Sequence, residues 1–350
     1  MKYWDFQTLQ KIRNGFYSAV YFNRAREILL KEGNLTNVTI QVFQRNEKSI
    51  LCGVEETIVL LKEASGCWMD KRWVSEWKEL AVLALKDGDK ISVQEPVLHI
   101  EGPYAYIAHL ESLYLGILAR RTLVATNVHA AVEAAGSKKV MFFADRFDYF
   151  QNQEGDGFAA HIGGASGVCT PAHVSRWDGK PVGTIPHALI AVHDGSTVES
   201  AKKFAKYFPN VPLIVLVDYD NDCVRTAIAV ASALKGKIWG VRIDTGSDMT
   251  DVSLQGSMQR GVTPQLVVNV RRALNQSHYD RVKIIVSGGF NPEKIKLFEN
   301  QKTPVDIYGV GSALLKGGND FTADIVRVNG KKQAKIGRSY RPNNRMRVTV

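Results

Sequence analysis

The chain has 350 residues, 45% hydrophobic and 23% charged. That is enough for one large domain or two to three smaller ones without disulfide or metal staples, and the balance excludes wholesale disorder. The net charge is +10, but Lys331, Lys332, Lys335, Arg338, Arg341, Arg345 and Arg347 crowd residues 331–350 with no acid among them, so the first 330 residues hold 38 basic against 35 acidic groups. The body is nearly neutral, which argues against a basic surface spread for nucleic acid.

In chain order, residues 18–31 have helical spacing and stop at Gly33-Asn34. Val38, Ile40 and Val42 alternate, which predicts a half-buried strand over 37–43. Residues 54–63 and 73–86 read as helical or mixed. Lys86-Asp87-Gly88-Asp89 is a turn, and KISVQEPVLHIEGPY reads as two short strands interrupted at Pro96. The Ala- and Leu-rich stretch 104–136 predicts two helices with Thr122 near their junction. From there the rhythm changes. Apolar runs at 140–145, 187–192, 212–218, 237–244, 282–289 and 305–311 alternate with amphipathic helical segments. Continuous apolar strands followed by helices predict βα units in a parallel sheet covered on both faces, either a barrel or an open sheet.

Four cysteines (Cys52, Cys67, Cys169, Cys223) make no C-x-x-C pair and no zinc spacing. No apolar run is long enough to span a membrane, and charges break the N-terminal stretch where a signal core would lie. The expectation is a reduced, cytoplasmic protein with neither membrane nor nucleic-acid partners.

Polar residues gather at the C-terminal ends of the predicted strands, the edge that carries the site in barrels and open sheets alike. Ser287-Gly288-Gly289 before Asn291-Pro292, and Gly309-Val310-Gly311-Ser312, each end a strand and open a helix. Two consecutive units of this kind supply backbone N–H groups and helix starts for a phosphate. Arg242 and Asp244 share one face of a strand end. They suit a structural ion pair or an anion clamp beside a carboxylate. Asp218 closes an apolar strand and needs a partner or a metal. With Asp244 it could hold a hard cation such as Mg²⁺. His187 enters an apolar run, where it suits a core histidine or a catalyst.

The motifs FFADR (142–146), AHIGGASGV (160–168), GTIPHALI (183–190), LVDYDND (216–222), GVRIDTGSD (240–248), IIVSGGFNPEKI (284–295) and YGVGSALL (308–315), in this order, resemble the nicotinate phosphoribosyltransferase family of type II phosphoribosyltransferases. The resemblance runs from about Gly15 to Val310. It implies an irregular seven-stranded α/β barrel, TIM-barrel-like, over 137–320. A β-rich mixed domain over 1–103 and a helical connection over 104–136 would precede it, and a basic C-terminal segment, 321–350, would return to complete the first domain. The implied reaction joins nicotinate to phosphoribosyl pyrophosphate, giving nicotinate mononucleotide and pyrophosphate, coupled to ATP hydrolysis through a phosphohistidine, with Mg²⁺.

Carried over by position, the resemblance makes His187 the phosphorylated histidine. Arg146 would hold the nicotinate carboxylate or a phosphate. Phe143 would stack on the pyridine ring, with Tyr17 of a second subunit on its other face, so a homodimer with shared sites is implied. Arg242 would bind phosphate, and Ser287 would contact substrate. Asp218 and Asp244 would position Mg²⁺-pyrophosphate and the ribose, and Gly288, Gly289, Gly309 and Gly311 the 5′-phosphate. Nicotinamide-specific relatives place a carboxylate-repelling aspartate where Cys169 stands, and Cys169, by removing that repulsion, favours the acid. Phe147 departs from the family's pattern after the FFADR arginine. Quinolinate and nicotinamide phosphoribosyltransferases are the alternatives within the class. A basic-tailed nucleic-acid-binding protein is the alternative outside it, and the tail offers it only one aromatic, Tyr340.

Overall fold

The computed structural model describes residues 3–235 and 237–349. The fold is mixed α/β and divides into two compact units, Met1–Thr126 with Gly317–Val350, and Asn127–Lys316.

The first unit is β-rich. Its six-stranded sheet runs in the order Lys331–Lys332, Phe321–Val328, Asn37–Gln44, Leu98–Pro103, Ala81–Ala84, Arg347–Val348, and every pairing is antiparallel. The C-terminal segment thus supplies three of the six strands. The central strand, Asn37–Gln44, alternates in sequence as a half-exposed strand would, yet all but its first residue are buried. Its apolar face (Val38, Ile40, Val42) joins a core with Ile100, Leu110 and Leu118. The other face carries Thr39 and Gln41, and the tail meets it at Gln41. The backbone N–H of Arg341 donates to Gln41 Oε1 at 2.7 Å, and Tyr340 lies 4.9 Å from the His99 ring. His99 Nε2 and Gln41 Oε1 are 3.3 Å apart. Burial, then the Arg327 charge, push this histidine down to about 4, so it stays neutral. Buried polar groups need such partners, and the tail residues provide them. Its charges are partly paired too: Arg345 with Glu95 at 2.7 Å and Arg338 with Asp324 at 2.9 Å.

Two expected helices over 104–136 become a short turn of helix, Tyr104–Ile107, a 3₁₀ turn, and one long helix, Glu111–Ala135. Thr122 is no junction but a buried position inside the long helix. Its hydroxyl accepts from Cys52 N–H and donates to Cys52 C=O, both at 3.1 Å, which satisfies a polar group the helix interior would otherwise strand.

The second unit is built on a parallel sheet of six strands, in the order Ile214–Leu216, Gly240–Ile243, Lys283–Val286, Ile307–Val310, Lys139–Phe142, Gly167–Val168. Helices Cys223–Ala233, Pro264–Gln276 and Pro292–Asn300 form the crossovers. Their starts are chemically marked. Thr263 and Asn291 cap the last two from non-helical backbone, each followed by Pro at the first position. Leu266, Val267, Val270 and Leu274 form the buried face of the second.

One expected strand is a helix. HALIAV, at 187–192, folds as the helix His187–Ala191. Pro186 precedes it in extended conformation, and Asp194 and Gly195 close it with left-handed backbone. A short alanine-rich run between a proline and such a turn coils readily. Backbone hydrogen bonds to the sheet lie just upstream. Val182 N–H donates to Val168 C=O at 2.8 Å, and Ile185 N–H to Ile214 C=O at 3.1 Å. Residues 182–185 therefore touch both edge strands of the sheet.

Candidate active site

At the C-terminal edge of the parallel sheet, four side chains converge on Arg242, which leaves the strand Gly240–Ile243. Its Nε donates to Ser287 Oγ (2.8 Å), Nη1 to Thr184 Oγ1 (3.0 Å) and Nη2 to Asp244 Oδ2 (2.8 Å). Ser287 in turn donates to Asp244 Oδ1 at 2.6 Å, so arginine, serine and carboxylate close a ring. The guanidinium also stands over the Phe143 ring, 5.2 Å from its centroid. Alternation along the strand put Arg242 and Asp244 on one face, and they pair there. The partners that fix the arginine arrive from three other segments of the chain.

Two cavities share Phe143, Arg146, Arg242 and Asp244 as walls. The smaller, about 170 Å³, is lined further by Phe147, Ser287, Gly288, Gly289, Gly309, Gly311 and Ser312. Gly288 and Gly289 are both left-handed, at φ 85° and 70°. Few side chains tolerate two consecutive positive φ angles, so this turn requires glycine. Lys294 Nζ holds the Gly288 carbonyl at 3.1 Å. Asn291 opens the nine-residue helix Pro292–Asn300 behind them, whereas Ser312 opens only a four-residue 3₁₀ turn.

Gly309 and Gly311 make room for aromatic rings. A Cβ on Gly309 would lie 2.7 Å from the Phe143 ring, and one on Gly311 would lie 2.6 Å from the Phe147 ring. Phe147, the departure from the family's pattern, is therefore a wall of the smaller cavity. Arg146 is exposed, with its guanidinium 5.6 Å from the Phe147 centroid.

The larger cavity, about 430 Å³, adds Asp145, Cys169, Thr184, Leu216 and His187 among its walls. His187 Nε2 and Asp218 Oδ1 are 3.1 Å apart, with the imidazole half-exposed and the carboxylate nearly buried. The hydrogen bond to Asp218 raises the histidine above its ordinary range, against an opposing effect of burial. With its proton on Nε2 the ring donates to Asp218, and Nδ1 keeps the lone pair.

The sequence reading missed one contact on the opposite wall. The Cys169 thiol donates to Asp145 Oδ1 at 3.1 Å. Burial, then this carboxylate, push the thiol up to about 12, so it stays protonated. A carboxylate thus lines the cavity beside Cys169 after all, supplied by the strand end at 145. Asp145 stood in plain view within FFADR, but only the fold brings it to residue 169. Thr184 was likewise quoted within GTIPHALI and given no role.

Tyr17 lies in the first unit, exposed and edge-to-face with Phe16 at 5.1 Å. Among the described residues no group of three or more His, Cys, Asp or Glu could hold a metal. Asp244 has both oxygens engaged, Oδ2 by Arg242 and Oδ1 by Ser287, and Asp218 meets His187 through Oδ1. No helix of the described residues is long and apolar enough to cross a membrane.

The sequence profile described as the quinolinate phosphoribosyl transferase N-terminal domain matches residues 19–122. A nicotinate phosphoribosyltransferase of Mycobacterium tuberculosis is 28% identical over 249 residues, 69% of this chain and 51% of that protein. One from Bacillus subtilis is 26% identical over 66% of this chain and 45% of its own length. The chain spans about half the length of these curated relatives. Among solved structures, nicotinate-nucleotide pyrophosphorylase from Pyrococcus furiosus is 34% identical, covering 97% of this chain and 82% of that one at a TM-score of 0.81. Human nicotinic acid phosphoribosyltransferase shares the fold at a TM-score of 0.70 and 16% identity, covering 92% and 77%.

Proposed function

Since the chain belongs to the nicotinate phosphoribosyltransferase family of type II phosphoribosyltransferases, we propose that it transfers phosphoribosyl from phosphoribosyl pyrophosphate to nicotinate, yielding nicotinate mononucleotide and pyrophosphate in NAD salvage. The observation that carries this is the pair of adjoining cavities with Arg242 in their common wall. The smaller, with left-handed Gly288-Gly289 and a helix start behind them, suits the ribose 5′-phosphate. The larger suits the pyridine against Phe143, its carboxylate toward Arg146.

Pyrophosphate would leave C1 of the ribose while Arg242 neutralises developing charge. Mg²⁺, when bound, supplies Lewis-acid charge to the leaving group. Asp218 and Asp244 would hold that ion and the ribose hydroxyls. The pyridine nitrogen is unprotonated near neutral pH, so the chain needs no general base there. Its work is positioning and electrostatics. His187 would accept a phosphoryl group from ATP, with Asp218 fixing the tautomer that leaves Nδ1 free. Residues 182–185, bonded to both edge strands, would serve as the seventh stave of a closed barrel. Tyr17 would complete a partner's pyridine pocket in a homodimer, and the four free cysteines suit the cytoplasm.

Quinolinate is the second reading, favoured by the profile match over residues 19–122. It needs cations for a second carboxylate. Apart from His187, the described cavity linings offer only Arg146 and Arg242, the latter already bonded to three side chains. A turnover assay decides: purified protein, phosphoribosyl pyrophosphate and Mg²⁺ with nicotinate, nicotinamide or quinolinate, each with and without ATP. Nucleotide formed from nicotinate and raised by ATP is expected. Carbon dioxide release from quinolinate, with nicotinate inert, would overturn the assignment.

A further inference from the structure

We infer that Thr184 is a positioning residue for phosphoribosyl transfer, holding the Arg242 guanidinium so that its free N–H groups meet the pyrophosphate of the donor substrate. This rests on the reaction proposed above and adds a residue to it.

A guanidinium has five N–H donors. Three are committed, to Ser287, Thr184 and Asp244. Two remain, one on each terminal nitrogen, and they are all that Arg242 can offer an anion. Ser287 and Asp244 grip the Nε and Nη2 atoms. Without Thr184 nothing described here holds Nη1, and the plane could swing on those two bonds over the Phe143 ring. Thr184 is the group that stops it.

Thr184 itself sits on a fixed segment. The N–H groups of Val182 and Ile185 are bonded to the two edge strands of the sheet, at 2.8 and 3.1 Å, and Ile185 is fully buried. The hydroxyl is therefore delivered from a clamped backbone. The helix carrying His187 begins two residues after Ile185. The same segment thus places the arginine's third tether and the histidine. Any movement of 182–187 would be felt at both cavities together.

The test compares Thr184→Val, which keeps the shape and loses the hydroxyl, with Thr184→Ser, which keeps the hydroxyl. Initial rates with nicotinate give kcat and KM for each substrate, and calorimetry with Mg²⁺-pyrophosphate gives anion affinity without any pyridine. The valine variant should lose roughly ten-fold in kcat/KM for phosphoribosyl pyrophosphate and a similar factor in pyrophosphate affinity, the scale of one hydrogen bond to a charged group. Its melting temperature should hold, and its KM for nicotinate should change less than its KM for phosphoribosyl pyrophosphate. The serine variant should restore most of both losses. Wild-type kinetics and pyrophosphate affinity in Thr184→Val would overturn the inference. So would a loss that serine fails to rescue, or one that appears equally in nicotinate KM and melting, since that is a packing defect. If the wild-type protein uses no pyridine at all, the reaction is misassigned, and the pyrophosphate calorimetry still judges Thr184.

Discussion

Gly309→Ala is a sharp probe of the site because only one thing about it changes. Gly309 lies in the strand Ile307–Val310, and its φ is outside the left-handed region, so alanine brings no backbone strain. The new Cβ would sit 2.7 Å from Cδ2 and Cε2 of Phe143 and 3.3 Å from the Ser287 Cβ. Ordinary contact begins near 3.4 Å, so the ring must retreat by about 0.7 Å in an interior packed too densely to yield freely. Overpacking of this kind costs about 1–3 kcal/mol. In a unit of this size that lowers Tm by roughly 2–4 °C per kcal/mol. The functional loss should be larger. Phe143 is the ring beneath Arg242, and displacement of a positioning group by about 1 Å can cost on the order of a hundred-fold in rate. Steady-state kinetics and thermal melting should be measured on Gly309→Ala, Phe143→Leu and the double variant. The double variant should regain melting temperature over Gly309→Ala and regain little activity, a coupling that identifies the two as neighbours. Unchanged kcat/KM and Tm in Gly309→Ala would show that Phe143 does not rest on this glycine, and the account of the shared wall would fail with it.

Other expectations follow from the same geometry. His187→Ala should abolish the stimulation of nucleotide formation by ATP, and normal coupling in that variant would remove His187 from the mechanism. Asp218 raises the His187 pKa, so the protonated ring persists above the ordinary value of about 6.5. ATP-dependent turnover, which needs a neutral ring, should therefore rise with pH through a value above that one. The stabilisation from the pair runs the opposite way, complete below the unfolded pKa and lost as pH climbs through the folded one. An NMR titration placing His187 at or below 6.5 would contradict both. Cys169→Asp sets a second carboxylate against Asp145, where like charges oppose joint ionisation. Amide use should rise relative to acid, and an unchanged ratio would remove this wall from specificity. Deleting 331–350 removes the strand Arg347–Val348, the Arg345–Glu95 pair and the cover over Gln41. Melting should fall by several degrees, and an unaltered transition would mean the tail only rests on the sheet.

Much of the site was written in the chain as short-range pattern. Alternation placed Arg242 and Asp244 on one face. Glycine pairs after apolar strands marked the turns at 288–289, and apolar runs broken by capped helices marked a parallel sheet. The helix at His187 was not legible, because a five-residue apolar run has no periodicity to separate helix from strand. The burial of Gln41 was not legible either, since the residue that caps it, Arg341, lies 300 positions away.

The sequence by itself determined the alphabet of the site: which strand ends carry cations, carboxylates and glycines. Only the tertiary structure decided who meets whom. It set Thr184 on Arg242, Asp145 on Cys169, Asp218 on His187, and the Phe143 ring in the space a Gly309 side chain would fill. Local patterns are set by backbone geometry over a few residues, so one chain displays them. Contacts between segments depend on the order and register of strands in the sheet, and those are fixed by packing the whole core at once.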